Sequence, residues 1–252
     1  MQIPLLTPAL YHSLLFFYGV FGGNLGLSII AITVIIKTLL LPLIVPSIQS
    51  AKKMQDLKPE IDKLKKKHTD KAAFQQAQIA LYKEKGINPA AGCLPQIIQI
   101  LILISLYQVF IYFLKQSSVN GITLNPYFLY LDLTKPDRSY VLPILAGASQ
   151  LVFSLMMQSG IVSEVKNPKK KADKQKEEDK LEMASSMQQQ MVYMMPLMTV
   201  IISLNFQSGL VLYWVVSTLF SLIQQYFFSG WGGLIPVINK VRAFTSTKTK
   251  AK

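Results

Sequence analysis

"ITVIIKTLLLPL", residues 32–43, has the composition of a membrane-span interior, yet a lysine sits in its middle. Lys37 has only apolar neighbours and Thr38 on either side. A cation at bilayer depth costs about 2.5–3.5 kcal/mol on insertion scales and more in simulations. The reading of the chain turns on what this lysine faces.

The surrounding composition supports a membrane setting. The 252 residues are 51% hydrophobic and 15% charged, with mean hydropathy +0.34; an ordinary soluble domain is about a quarter charged. Long apolar runs alternate with dense lysine runs, the pattern of a polytopic membrane protein. A net charge of +13 would suggest nucleic acid in a soluble protein. Here it has to be read from where the lysines fall. Cys93 is the only cysteine, which excludes an internal disulfide framework and a Cys-cluster metal site. It reads as a small buried apolar residue. The first 28 residues carry no Lys, Arg, Asp or Glu, so a standard cleavable signal peptide is not expected among them.

Five segments are long and apolar enough to cross a bilayer, at about 25–46, 91–114, 140–159, 191–206 and 209–228. With their flanks they divide the chain into spans 23–46, 89–115, 139–159, 191–206 and 209–228. Residues 1–22, broken by Pro4, Pro8 and Gly22-Gly23 and carrying Tyr11, His12 and Tyr18, read as an external interfacial helix. The fold class expected is an all-α polytopic membrane protein.

Charge sets the orientation. Residues 47–88 carry ten lysines against five acids, and 160–190 carry seven lysines against six acids. The tail 229–252 has four lysines and Arg242 with no acid. The opposite side holds only Lys115 and, in the loop 116–138, Lys135 and Arg138. Cytoplasmic loops are rich in Lys and Arg, so the N-terminus is expected outside and the C-terminus in the cytoplasm.

The loop 47–88 has internal order. In "MQDLKPEIDKLKKKHTDKAAFQQAQIALYKEKG", residues 54–86, Met54, Leu57, Ile61 and Leu64 recur at helical spacing, and Phe74, Ala77 and Leu81 do so again. Two amphipathic helices forming a cytoplasmic hairpin are expected, with Asp70 capping the second and Gly86 stopping it. Pro59 either kinks the first helix or sits in its first turn. The segment "SEVKNPKKKADKQKEEDKLEMASS", 163–186, mixes charges without apolar periodicity and reads as flexible, with a short helix leading into the fourth span. The basic tail, with Lys240, Arg242, Lys248 and Lys250, is either an anchor to anionic lipid or a handle for ribosomal RNA.

Polar residues inside the spans are functional candidates, because lipid offers them no partner. They include Thr33 and Lys37 on one face of the first span, Gln96, Gln99, Ser105 and Gln108 in the second, and Ser149, Gln150, Ser154 and Gln158 in the third. The fifth span carries Tyr213, Trp214, Ser217, Thr218 and Gln224. Lys37 lies about ten residues, or roughly 15 Å, from the cytoplasmic end, beyond the reach of a lysine stem. No Asp or Glu occurs in any expected span, so no intramembrane carboxylate can neutralise it. Lys37 is therefore expected unpaired, facing a hydrated cavity.

"SIIAITVIIKTLLLPL" (28–43), "SAKKMQDLKPEIDKLKKKH" (50–68) and "LYKEKGINPAAGCLPQIIQILILISLYQVF" (81–110) resemble the YidC membrane protein insertases. "VLPILAGASQLVFSLMMQ" (141–158) and "MMPLMTVIISLNFQSGLVLYWVVSTLFSLIQQYF" (194–227) resemble that family's later spans. The most specific matches are "YKEKGINPAAGCLPQ" (82–96) and "FQSGLVLYWVVS" (206–217). The resemblance implies a bacterial inner-membrane insertase, relative of the mitochondrial and chloroplast insertases. Five core helices would surround a hydrophilic groove open to the cytoplasm. Lys37 stands where the family usually has arginine, keeping the charge without the bidentate fork. Thr33 and Trp214 match positions that line the substrate path, which Gln96, Gln99, Ser154 and Ser217 would extend. Met54, Leu57, Lys58, Ile61 and Lys65 of the hairpin would receive the nascent chain. The expected partners are nascent membrane proteins and the lipid bilayer, with the ribosome and a Sec translocon as further candidates and no small-molecule substrate.

No cofactor and no enzymatic activity are expected: the chain has no G-x-x-x-x-G-K-[ST], no HExxH and no intramembrane acid pair. The rival reading is a transporter or anion channel with Lys37 as its selectivity charge. A non-catalytic assembly scaffold is a third.

Overall fold

The computed structural model describes residues 6–68, 70–88, 94–114, 118–119, 122–157, 179–232 and 234. Helices dominate it. α1 (Leu6–Val20) ends at Gly22 and Gly23, whose φ values of 59° and 85° suit glycine. Its Leu10, Leu14 and Tyr18, spaced by four, are buried, while Phe16 and Val20 are exposed. The buried face packs on α2 (Leu25–Leu39) and α6 (Leu94–Leu114). Asn24 opens α2 by accepting the Leu27 N–H at 3.0 Å.

The segment 23–46, expected as one span, is two helices. α2 stops at Leu39, α3 (Leu41–Asp56) starts at Leu41, and the two bend by 67°. Pro42 in the first turn of α3 has no N–H, and its ring crowds the carbonyl four residues back, which favours the bend at this point. α3 then continues through Pro46 to Asp56. Among the described residues two helices, α6 and α9 (Ser208–Ser229), are each long and apolar enough to span a membrane; counted as one span, the bent pair makes a third. α7 (Val141–Met157) and the apolar part of α8 (Asp179–Asn205), Val192–Asn205, are shorter than the spans expected there. The polar run Gln188 to Gln190 sits inside α8, and residues 158–178 lie outside those described.

α4 (Lys58–Lys67) and α5 (Lys71–Glu84) pack together as a hairpin. Leu57, at the junction of α3 and α4, is buried, and Pro59 lies in the first turn of α4. Asp70 caps α5, accepting the Ala73 N–H at 3.0 Å. Gly86 follows at φ 64°, and an exposed Lys85–Glu60 pair at 3.4 Å joins the two helices.

The core is built where α1, α2, α6 and α9 meet, around Leu14, Tyr18, Ile29, Leu106, Phe110 and Phe113. α9 also packs on α7, and α7 on α8. Gly209 lets α9 approach the Phe110 ring, leaving no room for a Cβ. The loop 116–138 adds two short antiparallel ladders to a fold expected to be all helical. β1 (Ser118–Val119) pairs with β2 (Ile122–Thr123), and β3 (Tyr127–Phe128) with β4 (Leu131–Asp132). This loop caps α9: the Lys135 carbonyl accepts the Ser208 N–H at 2.8 Å, and the Leu133 carbonyl accepts that of Gly209 at 3.1 Å.

Candidate functional site

Lys37 lies in the last turn of α2 and is 7% exposed. Its Nζ donates to Gln99 Oε1 of α6 at 3.1 Å and to Ser221 Oγ of α9 at 3.0 Å. Gln99 is the hub of the cluster. Its Oε1 also accepts from Ser217 Oγ at 3.0 Å, and its Nε2 donates to Tyr213 OH at 3.0 Å. Ser221 Oγ donates back to the Ser217 carbonyl at 2.9 Å, which leaves the hydroxyl oxygen free to accept from the lysine. Three helices thus meet at one cation.

Among the described residues Lys37 has no carboxylate partner, but two neutral side chains bond it, which the expectation of an unpaired lysine did not include. It is buried and held, because the polar residues of α6 and α9 converge on it. All of its partners are neutral. An ammonium has three donors; two are used, and the third has no acceptor among the described residues. Hydrogen bonds to a charged group contribute about 1.5–3 kcal/mol each, which offsets part of the burial cost but leaves the charge uncompensated.

Tyr213, Ser217, Ser221 and Gln224 fall within about 80° of one another around α9 at 100° per residue. The face continues to Gln225, fully buried, whose amide oxygen and nitrogen have no hydrogen-bond partner among the described residues; nor do the buried Gln224 Nε2 and Ser229 Oγ. Buried polar atoms are normally satisfied. Those without a partner on α9 follow Ser221 towards its C-terminal end, and others lie elsewhere in the bundle, at Ser105 and Ser203.

Of the residues singled out from sequence, Lys37, Gln99, Tyr213 and Ser217 come together. Thr33 is buried one turn from Lys37, and its hydroxyl donates to the Ile29 carbonyl at 2.6 Å. Trp214 is half-buried on α9, Gln96 is exposed on α6, and Ser154 is half-buried on α7. None of these four bonds to the lysine. Ser221 escaped notice in the sequence, although its i+4 spacing from Ser217 marks it. Met54 lies in α3 and is half-buried, as is Ile61 of α4, while Lys65 is exposed and Lys58 is the first residue of α4. Lys240, Arg242, Lys248 and Lys250 lie outside the described residues. Among the described residues no cluster of His, Cys, Asp and Glu could hold a metal.

Residues 16–231 match the family model described as 60Kd inner membrane protein. The chain is 36% identical over 214 residues to membrane protein insertase MisCA of Bacillus subtilis, covering 83% of this chain and 72% of that protein. It is 36% identical over 206 residues to membrane protein insertase YidC of Fusobacterium nucleatum, covering 81% and 86%. Its fold is similar to a crystal structure of an active YidC insertase with the first transmembrane domain resolved. That likeness has a TM-score of 0.59 and 24% identity, over 87% of this chain and 46% of the solved one.

Proposed function

Because the chain belongs to the 60Kd inner membrane protein family, we propose that it passes nascent membrane proteins from the cytoplasm into the bilayer as an insertase, without hydrolysing nucleotide. Its relatives in Bacillus subtilis and Fusobacterium nucleatum are named membrane protein insertases. The observation that carries the reading is Lys37, a buried cation whose partners among the described residues are neutral and leave one of its donors unused. Such a charge is held in place and still attracts an anion.

The working unit is a five-span bundle in the bacterial inner membrane, N-terminus outside and C-terminus in the cytoplasm. Its polar track along α9 is the wall of a groove open to the cytoplasm. Gln224 Nε2 and the Gln225 amide, buried with no partner among the described residues, support that reading, since hydration or a passing polar segment would satisfy them. A short acidic external tail of the substrate is drawn along the track to Lys37, so it need not cross the full hydrocarbon thickness. The substrate's apolar helix slides past Thr33 and Trp214 into lipid, and its partitioning supplies the driving force. The α4–α5 hairpin receives the nascent chain, and the basic tail holds anionic lipid or ribosomal RNA.

Site-specific photocrosslinking tests this reading. A crosslinker at position 33 or 214 should capture ribosome-bound nascent membrane proteins. A scaffold for finished proteins would give no adduct with chains still on the ribosome, and that result would overturn the proposal.

A further inference from the structure

Residues 127–140, at the end of the bundle remote from the α4–α5 hairpin, make two conformational choices that are costly in water. Leu129, at the tip between β3 and β4, has φ 53° and is 82% exposed. Tyr140, just before α7, has φ 62° and is exposed. A left-handed backbone position favours glycine or asparagine, and a two-residue hairpin tip favours Asn-Gly. A fully exposed leucine in that conformation is unfavourable on both counts. Tyr127 and Tyr130, 60% and 58% exposed, flank it. Tyrosines and a leucine gathered at the end of a membrane bundle have the composition of the interfacial aromatic belt.

Beside the tip is a cavity of about 630 Å³ lined by Tyr127, Tyr130, Lys135, Arg138, Ser139 and Ser208, among others. Its two acids are already engaged. Asp132 pairs with Lys135 at 2.7 Å and accepts from Thr134 Oγ1 at 2.6 Å. Asp137 accepts from Ser139 Oγ at 2.6 Å and from the Leu142 N–H at 2.8 Å. Arg138 is exposed and has no partner among the described residues. The cavity therefore presents one free guanidinium beneath an apolar, tyrosine-bearing tip.

We propose that this loop anchors the protein in the outer leaflet. Leu129, Tyr127 and Tyr130 enter the interfacial layer, and Arg138 takes the phosphate of an anionic phospholipid headgroup in the cavity. Guanidinium matches phosphate geometry and can bind it through two parallel donors. The burial of Leu129 in the interface offsets the cost of its backbone conformation.

The test uses the whole chain purified in detergent micelles, with lipid binding read by native mass spectrometry. Phosphatidylglycerol, phosphatidylcholine and sn-glycerol 3-phosphate are the probes. The wild type should retain phosphatidylglycerol in preference to phosphatidylcholine and should not bind glycerol 3-phosphate. Arg138→Gln should weaken phosphatidylglycerol binding on the order of tenfold, and Arg138→Lys should restore part of it. Leu129→Asn, whose side chain suits the left-handed backbone, should keep or raise the Tm in micelles while lowering lipid retention. Equal retention by wild type and Arg138→Gln would overturn the proposal. So would glycerol 3-phosphate binding as tight as that of the lipid, or undiminished retention by Leu129→Asn.

Discussion

Lys37 Nζ and Gln99 Oε1 stand 3.1 Å apart, joining helices whose contributing residues are 62 positions apart in sequence. The contact makes Gln99 the group that sets where the cation sits. The same amide holds Ser217 and Tyr213, so its loss removes partners from three side chains at once.

Gln99 variants should therefore separate folding from function. Gln99→Leu orphans buried polar groups on α9 and should lower stability by about 1–3 kcal/mol, read as a reduced Tm in micelles. Gln99→Glu places a carboxylate beside Lys37 and neutralises the charge offered to substrate. It should leave Tm close to wild type and slow insertion of substrates with acidic external tails.

Gly209 is a packing position. A Cβ there would run into the Phe110 ring, which is fully buried. Gly209→Ala should cost about 1–3 kcal/mol by overpacking. Adding Phe110→Leu should recover part of it, so that the double variant is more stable than the sum of the single effects.

Tyr18 ties α1 to the outer loop: its hydroxyl accepts the Asn125 N–H at 2.8 Å. Tyr18→Phe keeps the ring in the core and removes that acceptor. The expected loss is about 1 kcal/mol, with faster amide exchange at Asn125.

Asp137 gives a pH signature outside the spans. Desolvation pushes its carboxyl up, but the Ser139 hydroxyl and the N–H groups of Leu142, Ser139 and Val141 outweigh that and hold it below the usual carboxylate range. A depressed folded value means the stabilisation is present above the unfolded value of about 3.9 and fades as pH falls through the folded one. Asp137→Ala should cost about 1–2 kcal/mol at neutral pH through loss of its bonds from Ser139 and the Leu142 N–H. The gap between variant and wild-type Tm should hold down to about pH 4 and narrow below it.

Local rules made much of the hairpin legible, although its expected first helix, beginning at Met54, is split at Leu57 between α3 and α4. The Asp70 cap, the Gly86 stop and Pro59 in a first turn each follow from residues within four positions. α6 and α9 announce themselves by length and apolarity. The break at Leu40 was missed because the apolar run continues through Pro42, and composition does not register a lost N–H. The partners of Lys37 were missed for a different reason. Gln99 and Ser221 lie 62 and 184 residues away, and only the packing of α6 and α9 on α2 brings them to it. Leu129 and Tyr140 look ordinary in sequence; their significance comes from backbone angles.

The central claim is that Lys37 acts by its charge, and complementation of an insertase-depleted strain with Lys37 variants tests it most directly. Lys37→Arg should support insertion, whereas Lys37→Ala and Lys37→Glu should impair substrates with acidic external tails. Insertion of those substrates at the wild-type rate by Lys37→Glu would contradict the account.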